Sequence, residues 1–319
     1  MPRMRVSLPL GTRPVALALR ALKLGDLLVA VPALHALRRE FPEHELVLAA
    51  PGWLEPIARL VGGIDTLLPT PGLDEPLPLA ARAVDVAANL HGNGPESRAI
   101  VDALAARVTI AHGARVPWRD GIHERERWAG LLAGHDIPAD PLDLAISAPD
   151  VPNPAQGAVV VHVGAFYGAR AWPVVRFAEV ARALTADGFR VVVTGGSADV
   201  PRARDVARLA GLGADDVFAG RADLTEFAAI VAGATAVCTA DTGAAHLASA
   251  YRTPSVVIFG PAPVEEWGPP PGPHIALTDA SLRRGDVFAS DPDPALLAVT
   301  AEDVIGAVRR VIRRPEAPA

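Results

Sequence analysis

The sequence predicts an α/β fold of two similar halves, each a mostly parallel sheet with helices on both faces, and a central cleft. Short apolar runs alternate with helical patterns from end to end, which is typical of repeated βα units. A proline-rich stretch at 137–156 interrupts the alternation, and 319 residues suffice for two domains of ordinary size. We therefore predict domains over 1–150 and 151–300, followed by a C-terminal segment, 301–319.

The elements of the first half follow from the spacing of apolar residues. Continuous apolar runs predict buried strands at 15–19, 45–49, 65–68, 84–88 and 108–111. Apolar residues at helical spacing predict helices at 26–39, 53–61, 96–105 and 123–133. Pro32 lies within the first of these patterns, so we expect an irregular first turn there.

The second half repeats the alternation. Its apolar runs predict strands at 158–163, 189–194, 216–218, 236–239, 255–259 and 274–277. Its helical patterns lie at 173–186, 201–212, 224–232, 244–251 and 301–313. Because open α/β sheets bind ligands at the carboxyl ends of their strands, polar residues that directly follow a strand are the candidate site residues.

Composition narrows the class of protein. The formal net charge of −6 argues against the basic field that drives nucleic-acid binding. The single cysteine cannot form an internal disulfide, which fits a reducing compartment. The N-terminus does not read as a signal peptide, and no run of about 18 apolar residues predicts a membrane span. We expect a cytoplasmic protein.

The most informative segment spans residues 237–261. An apolar run ends in Asp241-Thr242-Gly243, and a helical pattern containing His246 follows. The first N–H groups of a helix have no partner within the helix, so this turn is a candidate anion site. The alternative is an ordinary capped helix in a βαβ unit.

A second candidate lies after the first strand, at Lys23, Gly25 and Asp26. Gly25 would permit a tight turn, and the Asp26 carboxylate could accept a proton from a sugar hydroxyl. The alternative is that Asp26 only caps its helix.

Two further strand ends carry candidate residues. Gly164 ends a strand, and Arg170 in the loop beyond it could clamp a phosphate, unless it is simply a solvated arginine. Thr194 and Gly195 end the next strand, where a glycine lets a ligand approach the backbone. This last pattern is weak by itself, because most such turns only reverse the chain.

Common cofactor and metal motifs are missing. The sequence has no GxxxxGK[ST] phosphate loop, and no GxGxxG pattern follows a strand. His-x-x-x-His and paired-cysteine spacings are also missing, so no metal and no bound cofactor are expected. Asp291-Pro292-Asp293 resembles a DxD metal motif only in its letters, and we interpret it as a loop.

These segments, in this order, resemble glycosyltransferase family 9, the ADP-heptose:lipopolysaccharide heptosyltransferases. The similar stretches are 23–42, 162–184, 191–199 and 241–261. The resemblance implies a GT-B fold of two facing Rossmann-like domains, with the nucleotide-sugar donor in the C-terminal one. It also implies that the last helix packs back on the N-terminal domain.

The resemblance implies a role for each candidate. Asp26 corresponds to the catalytic base, with Lys23 and Gly25 on the acceptor side. The resemblance makes Arg170, Asp241, Thr242, Gly243 and His246 donor-binding residues. We expect the strand-end residues Gly164, Thr194 and Gly195 to bind the donor with them. Transfer in the family inverts the configuration at the anomeric carbon of the sugar and needs no metal ion. The late cysteines of many members and the hydroxyl-rich turn before Asp26 are missing here, which leaves the donor sugar and the acceptor open.

The sequence therefore favours an enzyme that moves a sugar, with ADP-heptose as the expected donor, to a glycan, lipid-linked or small-molecule hydroxyl. Two alternatives remain: a nucleotide-sugar epimerase on the same scaffold, and a non-catalytic nucleotide-sugar-binding protein. The basic residues Arg309, Arg310, Arg313 and Arg314 could touch the inner face of the membrane, or could be a solvated helix end.

Overall fold

The computed structural model describes residues 12–313. The chain divides into two compact units, Met1–Ser147 and Ala148–Ala319. The outer ends of the predicted ranges 1–150 and 301–319, including Arg314, lie outside the described residues.

The first unit contains a five-stranded, fully parallel sheet in the order β3-β2-β1-β4-β5. Its strands are β1 (Val15–Leu19), β2 (Glu45–Ala50), β3 (Thr66–Pro69), β4 (Val86–Asn89) and β5 (Val108–Ile110). Its helices are α1 (Leu24–Val29), α2 (Val31–Glu40), α3 (Glu55–Val61), α4 (Pro95–Asp102) and α5 (Glu124–Ala133). All residues of β1, β2 and β4 are buried, which explains why they are apolar except for Glu45 and Asn89 at strand ends.

The helix predicted over 26–39 is in fact two helices, α1 and α2, which meet at Ala30. The N–H of Ala30 bonds the carbonyl of Leu27, which closes α1. Pro32 follows in the first turn of α2, where its missing N–H is harmless because first-turn N–H groups have no partner in the helix. The expected irregular turn is thus an interruption of one residue, Ala30, which ends α1 and caps α2.

The second unit contains a second five-stranded parallel sheet, in the order β10-β9-β8-β6-β7. Its strands are β6 (Val159–His162), β7 (Val191–Thr194), β8 (Ala236–Ala240), β9 (Ser255–Ile258) and β10 (His274–Leu277). Its helices are α6 (Val174–Ala186), α7 (Val200–Ala210), α8 (Leu224–Ala232), α9 (Gly243–Ala250), α10 (Val264–Trp267), α11 (Pro294–Ala298) and α12 (Ala301–Arg313). The strand predicted at 216–218 is only an isolated bridge between Val217 and Val193.

The last helix, α12, packs within the second unit. Its apolar side joins the core cluster that covers the second sheet, through Val304, Ala307, Val308 and Val311. Its most extensive contacts are with α6 and with strands β8, β9 and β10. The expectation that the last segment, 301–319, packs back on the N-terminal domain stays a prediction.

The basic side of α12 is partly neutralised. Arg309 donates to both carboxylate oxygens of Asp187, at 2.8 and 2.9 Å. None of the helices formed by residues 12–313 combines the length and the apolar character that a membrane span requires. Contact of this side with a lipid surface stays a prediction.

Candidate functional site

Arg170 and Asp241 come together at the carboxyl edge of the second sheet. Arg170 lies on a loop that follows β6, and Asp241 follows β8 directly. The Nη1 atom of Arg170 lies 3.4 Å from Asp241 Oδ2 and donates to the Asp241 carbonyl at 3.3 Å. The Nε of Arg170 is buried, without a hydrogen-bond partner in the described structure. The guanidinium of Arg170 therefore lies at this sheet edge with an N–H group, that of Nε, not used in a hydrogen bond.

The turn after β8 is fixed by hydrogen bonds. Asp241 is 2% exposed, and its N–H extends the ladder to the carbonyl of Ile258 at 3.0 Å. Thr242 is the N-cap of α9 in an extended conformation, and its hydroxyl contacts that of Thr239 at 3.0 Å. Gly243 begins the helix. The N–H of Ala245 bonds the carbonyl of Thr242 at 3.0 Å, whereas the N–H groups of Gly243 and Ala244 precede the first helical hydrogen bond. This is the geometry expected of an anion site.

His246 lies one turn into α9, beneath the same edge. It is 8% exposed, and its Nε2 lies 4.0 Å from Asp241 Oδ1. Its ring meets Trp267 edge to face at 6.2 Å. The four predicted donor residues 241, 242, 243 and 246 thus form one cluster with Arg170.

Gly164, Thr194 and Gly195 occupy the neighbouring strand ends with close internal contacts. The Thr194 hydroxyl, 1% exposed, bonds His162 Nδ1 at 3.0 Å. A Cβ on Gly164 would come within 2.5 Å of His162 Nε2, and one on Gly195 within 2.8 Å of Asp199 Cβ. Packing alone therefore explains why these positions hold glycine and threonine. That Gly164, Thr194 and Gly195 contact the nucleotide-sugar donor stays a prediction.

Two further arginines at this edge escaped the sequence analysis. Arg202 donates from Nε to the carbonyl of Val163 at 3.0 Å, and burial lowers the pKa of its guanidinium. Arg283 donates from Nε to the carbonyl of Gly260 at 3.0 Å. The apolar runs that end near residues 163 and 260 locate this edge in the sequence. No local pattern predicts that Arg202 and Arg283 reach it.

The loop that carries Arg170 is braced by a late segment of the chain. Ala169 donates its N–H to the carbonyl of Ala289 at 2.9 Å, and its own carbonyl accepts the N–H of Asp293 at 3.1 Å. A Cβ on Gly168 would overlap the backbone of Ser290. The position of Arg170 therefore depends on residues more than a hundred positions further along.

Asp293 has a structural role rather than that of a DxD metal ligand. Its carboxylate caps α11 through the N–H of Ala295 at 2.9 Å and accepts the N–H of Arg284 at 3.0 Å. Among residues 12–313, no group of three or more His, Cys, Asp or Glu side chains is arranged to hold a metal ion. Metal independence stays a prediction.

In the first unit, Asp26 lies at the carboxyl edge of the sheet, as the third residue of α1. Its Oδ2 accepts the N–H of the N-cap residue, Lys23, at 3.1 Å. The carboxylate remains 26% exposed. Asp26 thus supports the helix start without being its cap. Gly25 lies inside α1 without a positive φ, so the turn is made by the residues before it.

Beneath Asp26 lies a buried arginine that the sequence analysis did not single out. Arg20 directly follows β1, is 1% exposed, and lies with its guanidinium 4.6 Å from the centre of the Trp128 ring. Burial lowers the pKa of this guanidinium, against the attraction of Asp26. Nearby, burial and then Arg20 lower the pKa of His91 to about 4, so its imidazole is neutral.

Comparison with known proteins agrees with this arrangement. Residues 139–278 match the model described as glycosyltransferase family 9 (heptosyltransferase). This match spans a little under half of the chain. The matched region includes the whole Arg170–Asp241 cluster but not Asp26. The resemblance inferred from the motifs is confirmed, and so is the class of enzyme, a glycosyltransferase.

Full-length relatives extend the similarity to both units. The chain is 21% identical to lipopolysaccharide heptosyltransferase 2 of Escherichia coli over 92% of its own length and 97% of the relative's. Against the structure of E. coli ADP-heptose LPS heptosyltransferase II, the TM-score is 0.72 at 17% identity, covering 93% and 98% of the two chains. E. coli heptosyltransferase WaaC with ADP gives 0.68 at 19%, covering 93% and 99%. The expected GT-B type of fold is confirmed.

Proposed function

We propose that the protein is an inverting, metal-independent glycosyltransferase that moves a heptose from ADP-heptose to a hydroxyl acceptor. The observation that carries the proposal is the cluster of Arg170, Asp241 and the start of α9 within the family 9 domain. The full-length similarity to a heptosyltransferase supports the donor sugar. A relative that binds ADP supports the nucleotide.

The diphosphate would bind at the start of α9. First-turn N–H groups and the helix dipole attract an anion, and an arginine adds charge-assisted hydrogen bonds. Arg170 is already held beside this turn by Asp241. As the bond to the sugar breaks, negative charge grows on the leaving phosphate, and these groups would stabilise it in place of a metal ion.

Asp26 would act as the general base. In this step the acceptor oxygen attacks the anomeric carbon, and the hydroxyl proton passes to the Asp26 carboxylate. The bond between the anomeric carbon and the phosphate oxygen breaks, and its electron pair leaves with ADP. Attack from the face opposite the phosphate inverts the configuration. The partial exposure of the carboxylate suits this role.

For the acceptor, we propose a sugar hydroxyl of a lipopolysaccharide-type glycan, by analogy with the printed activity of the E. coli relative. A lipid-linked glycan would bring the enzyme to the inner face of the cytoplasmic membrane. Transfer to a small molecule would leave the donor chemistry unchanged. No observation favours the epimerase or the non-catalytic alternative.

The proposal is tested by nucleotide titration and by turnover. Isothermal titration should show tighter binding of ADP than of UDP or GDP, and ADP release from ADP-heptose should persist in EDTA. Asp26→Asn should abolish ADP release while ADP binding survives, and Asp102→Asn, at an exposed position on α4, serves as the matched control. Equal turnover of Asp26→Asn and wild type would remove Asp26 from the mechanism.

A further inference from the structure

Arg20 contacts Asp26 at two places, its backbone carbonyl and its carboxylate. Its Nε donates to the backbone carbonyl of Asp26 at 2.9 Å, and its Nη1 donates to the carbonyl of Leu90, at the end of β4. Its Nη2 lies 3.9 Å from Asp26 Oδ1. One guanidinium therefore links two strand ends to both the backbone and the carboxylate of a single aspartate.

The Asp26 carboxylate is the main counter-ion of this buried cation. Nη2 of Arg20 is buried and lacks a hydrogen-bond partner in the part of the chain described. The other nearby carboxylate, Glu124, is engaged by Arg127 Nε at 2.6 Å and by Trp128 Nε1 at 3.0 Å. Since a buried charge is costly without compensation, the Asp26 carboxylate at 3.9 Å offsets part of the cost of burying Arg20.

The remaining freedom of Asp26 is small. Its Oδ2 is held by the N–H of Lys23, its carbonyl by Arg20, and its Oδ1 faces the guanidinium. We infer that Arg20 is a positioning residue, which fixes the Asp26 carboxylate for proton transfer from the acceptor. This inference rests on the proposed role of Asp26 as the base. Arg20 itself lies beneath the surface and acts only through Asp26.

The test combines substitutions at both positions with ADP release from ADP-heptose. Arg20→Met keeps the length of the side chain and should lower turnover about 10- to 100-fold, as expected for a misplaced catalytic group. ADP affinity should stay within about twofold, because the donor residues lie in the other unit. Arg20→Lys restores the charge without the planar fork, so it should recover part of the lost turnover.

The matched control is Arg38→Met, in the same unit. Arg38 also donates to two backbone carbonyls, those of Phe41 and His44, and pairs with Asp65. This control should lose thermal stability without losing turnover per folded molecule. If Arg20→Met does not fold, Arg20→Lys takes its place in every comparison.

A double-mutant cycle separates positioning from a structural role. Asp26→Glu keeps a carboxylate but moves it by one methylene group, so its slow turnover remains measurable. In that background Arg20→Met should cost less than about threefold, because the geometry it maintains is already lost. Losses that multiply, or full activity of Arg20→Met, would overturn the inference. Activity of Asp26→Asn equal to wild type would instead overturn the proposed base.

A titration that needs no turnover completes the test. NMR of the His91 ring should show its pKa, about 4 in the wild type, rising in Arg20→Met because a neighbouring cation is removed. In Asp26→Asn the same pKa should fall further, because an attracting anion is lost. An unchanged pKa in Arg20→Met would mean that the charge of Arg20 does not act at this edge, against the inference.

Discussion

Replacing Arg170 by Met tests the donor site through both stability and binding. Asp241 is only 2% exposed, and it would lose the guanidinium that lies 3.4 Å from its carboxylate. Breaking a fully buried ion pair costs about 3–5 kcal/mol, but Arg170 is 26% exposed and partly screened, so about 1–3 kcal/mol is expected. For a unit of this size, that corresponds to a Tm lower by about 2–10 °C.

ADP binding should weaken in the same variant. Hydrogen bonds to charged groups are worth about 1.5–3 kcal/mol, and about 1.4 kcal/mol corresponds to tenfold in affinity. The Kd for ADP should therefore rise about 10- to 100-fold in isothermal titration. Adding Asp241→Asn should restore much of the lost Tm, measured by differential scanning fluorimetry, because no buried carboxylate is then left without its cation.

The control for Arg170 is Arg190→Met in the same unit. Arg190 contacts Asp216 at 3.5 Å and the carbonyl of Pro154 at 3.0 Å, away from the carboxyl edge of the sheet. Its loss should leave ADP affinity unchanged. If Arg170→Met also bound ADP as tightly as wild type, the diphosphate would not lie beside Arg170, and the reasoning about this cluster would be refuted.

Three further outcomes are expected. Burial lowers the pKa of His162 to about 4, below the ~6.5 of an unfolded histidine, so the unfolded chain binds more protons and stability falls as pH drops from about 6.5 to about 4. His162→Gln should flatten this slope in urea unfolding, and an unchanged slope would contradict it. Gly260→Ala would place a Cβ 2.8 Å from Leu296 Cβ and should lower the stability of the protein by about 1–3 kcal/mol. Gly306→Ala has open space around it and should stabilise α12 by about 0.5–1 kcal/mol. If scanning fluorimetry shows Tm changes of the same sign for both variants, the packing argument is refuted. Burial raises the pKa of Cys238 to about 12, so iodoacetamide should label this thiol only after denaturation, and rapid labelling of the native protein would show that it is not buried.

Much of the fold could be predicted from the sequence because buried parallel strands must be apolar throughout. The strand Val15–Leu19, which is buried along its whole length, begins and ends where the apolar run does. The short helix Pro294–Ala298 was missed, since five residues contain too little of the helical period to be recognised. The sequence predicts an irregularity near Pro32 but not the start of a second helix, because Pro32 is compatible with either.

In the candidate site, too, some residues could be predicted from the sequence and others could not. Asp241, Thr242 and Gly243 could be found because the strand, turn and helix start are adjacent in sequence. Arg20 could not, because its partner carbonyl at Leu90 is 70 residues away and only the pairing of β1 with β4 brings them together. A cation at the end of an apolar run looks like a solvated residue until the elements that cover it are known.

The bracing of Ala169 by residues 289 and 293 has an evolutionary consequence. The bracing segment lies beyond residue 278, where the match to the family model ends. Substitutions in this later loop would change how firmly Arg170 is held, even with every motif residue unchanged. Homologues with identical motifs could therefore differ in nucleotide affinity, and swapping residues 283–293 between them would transfer that difference.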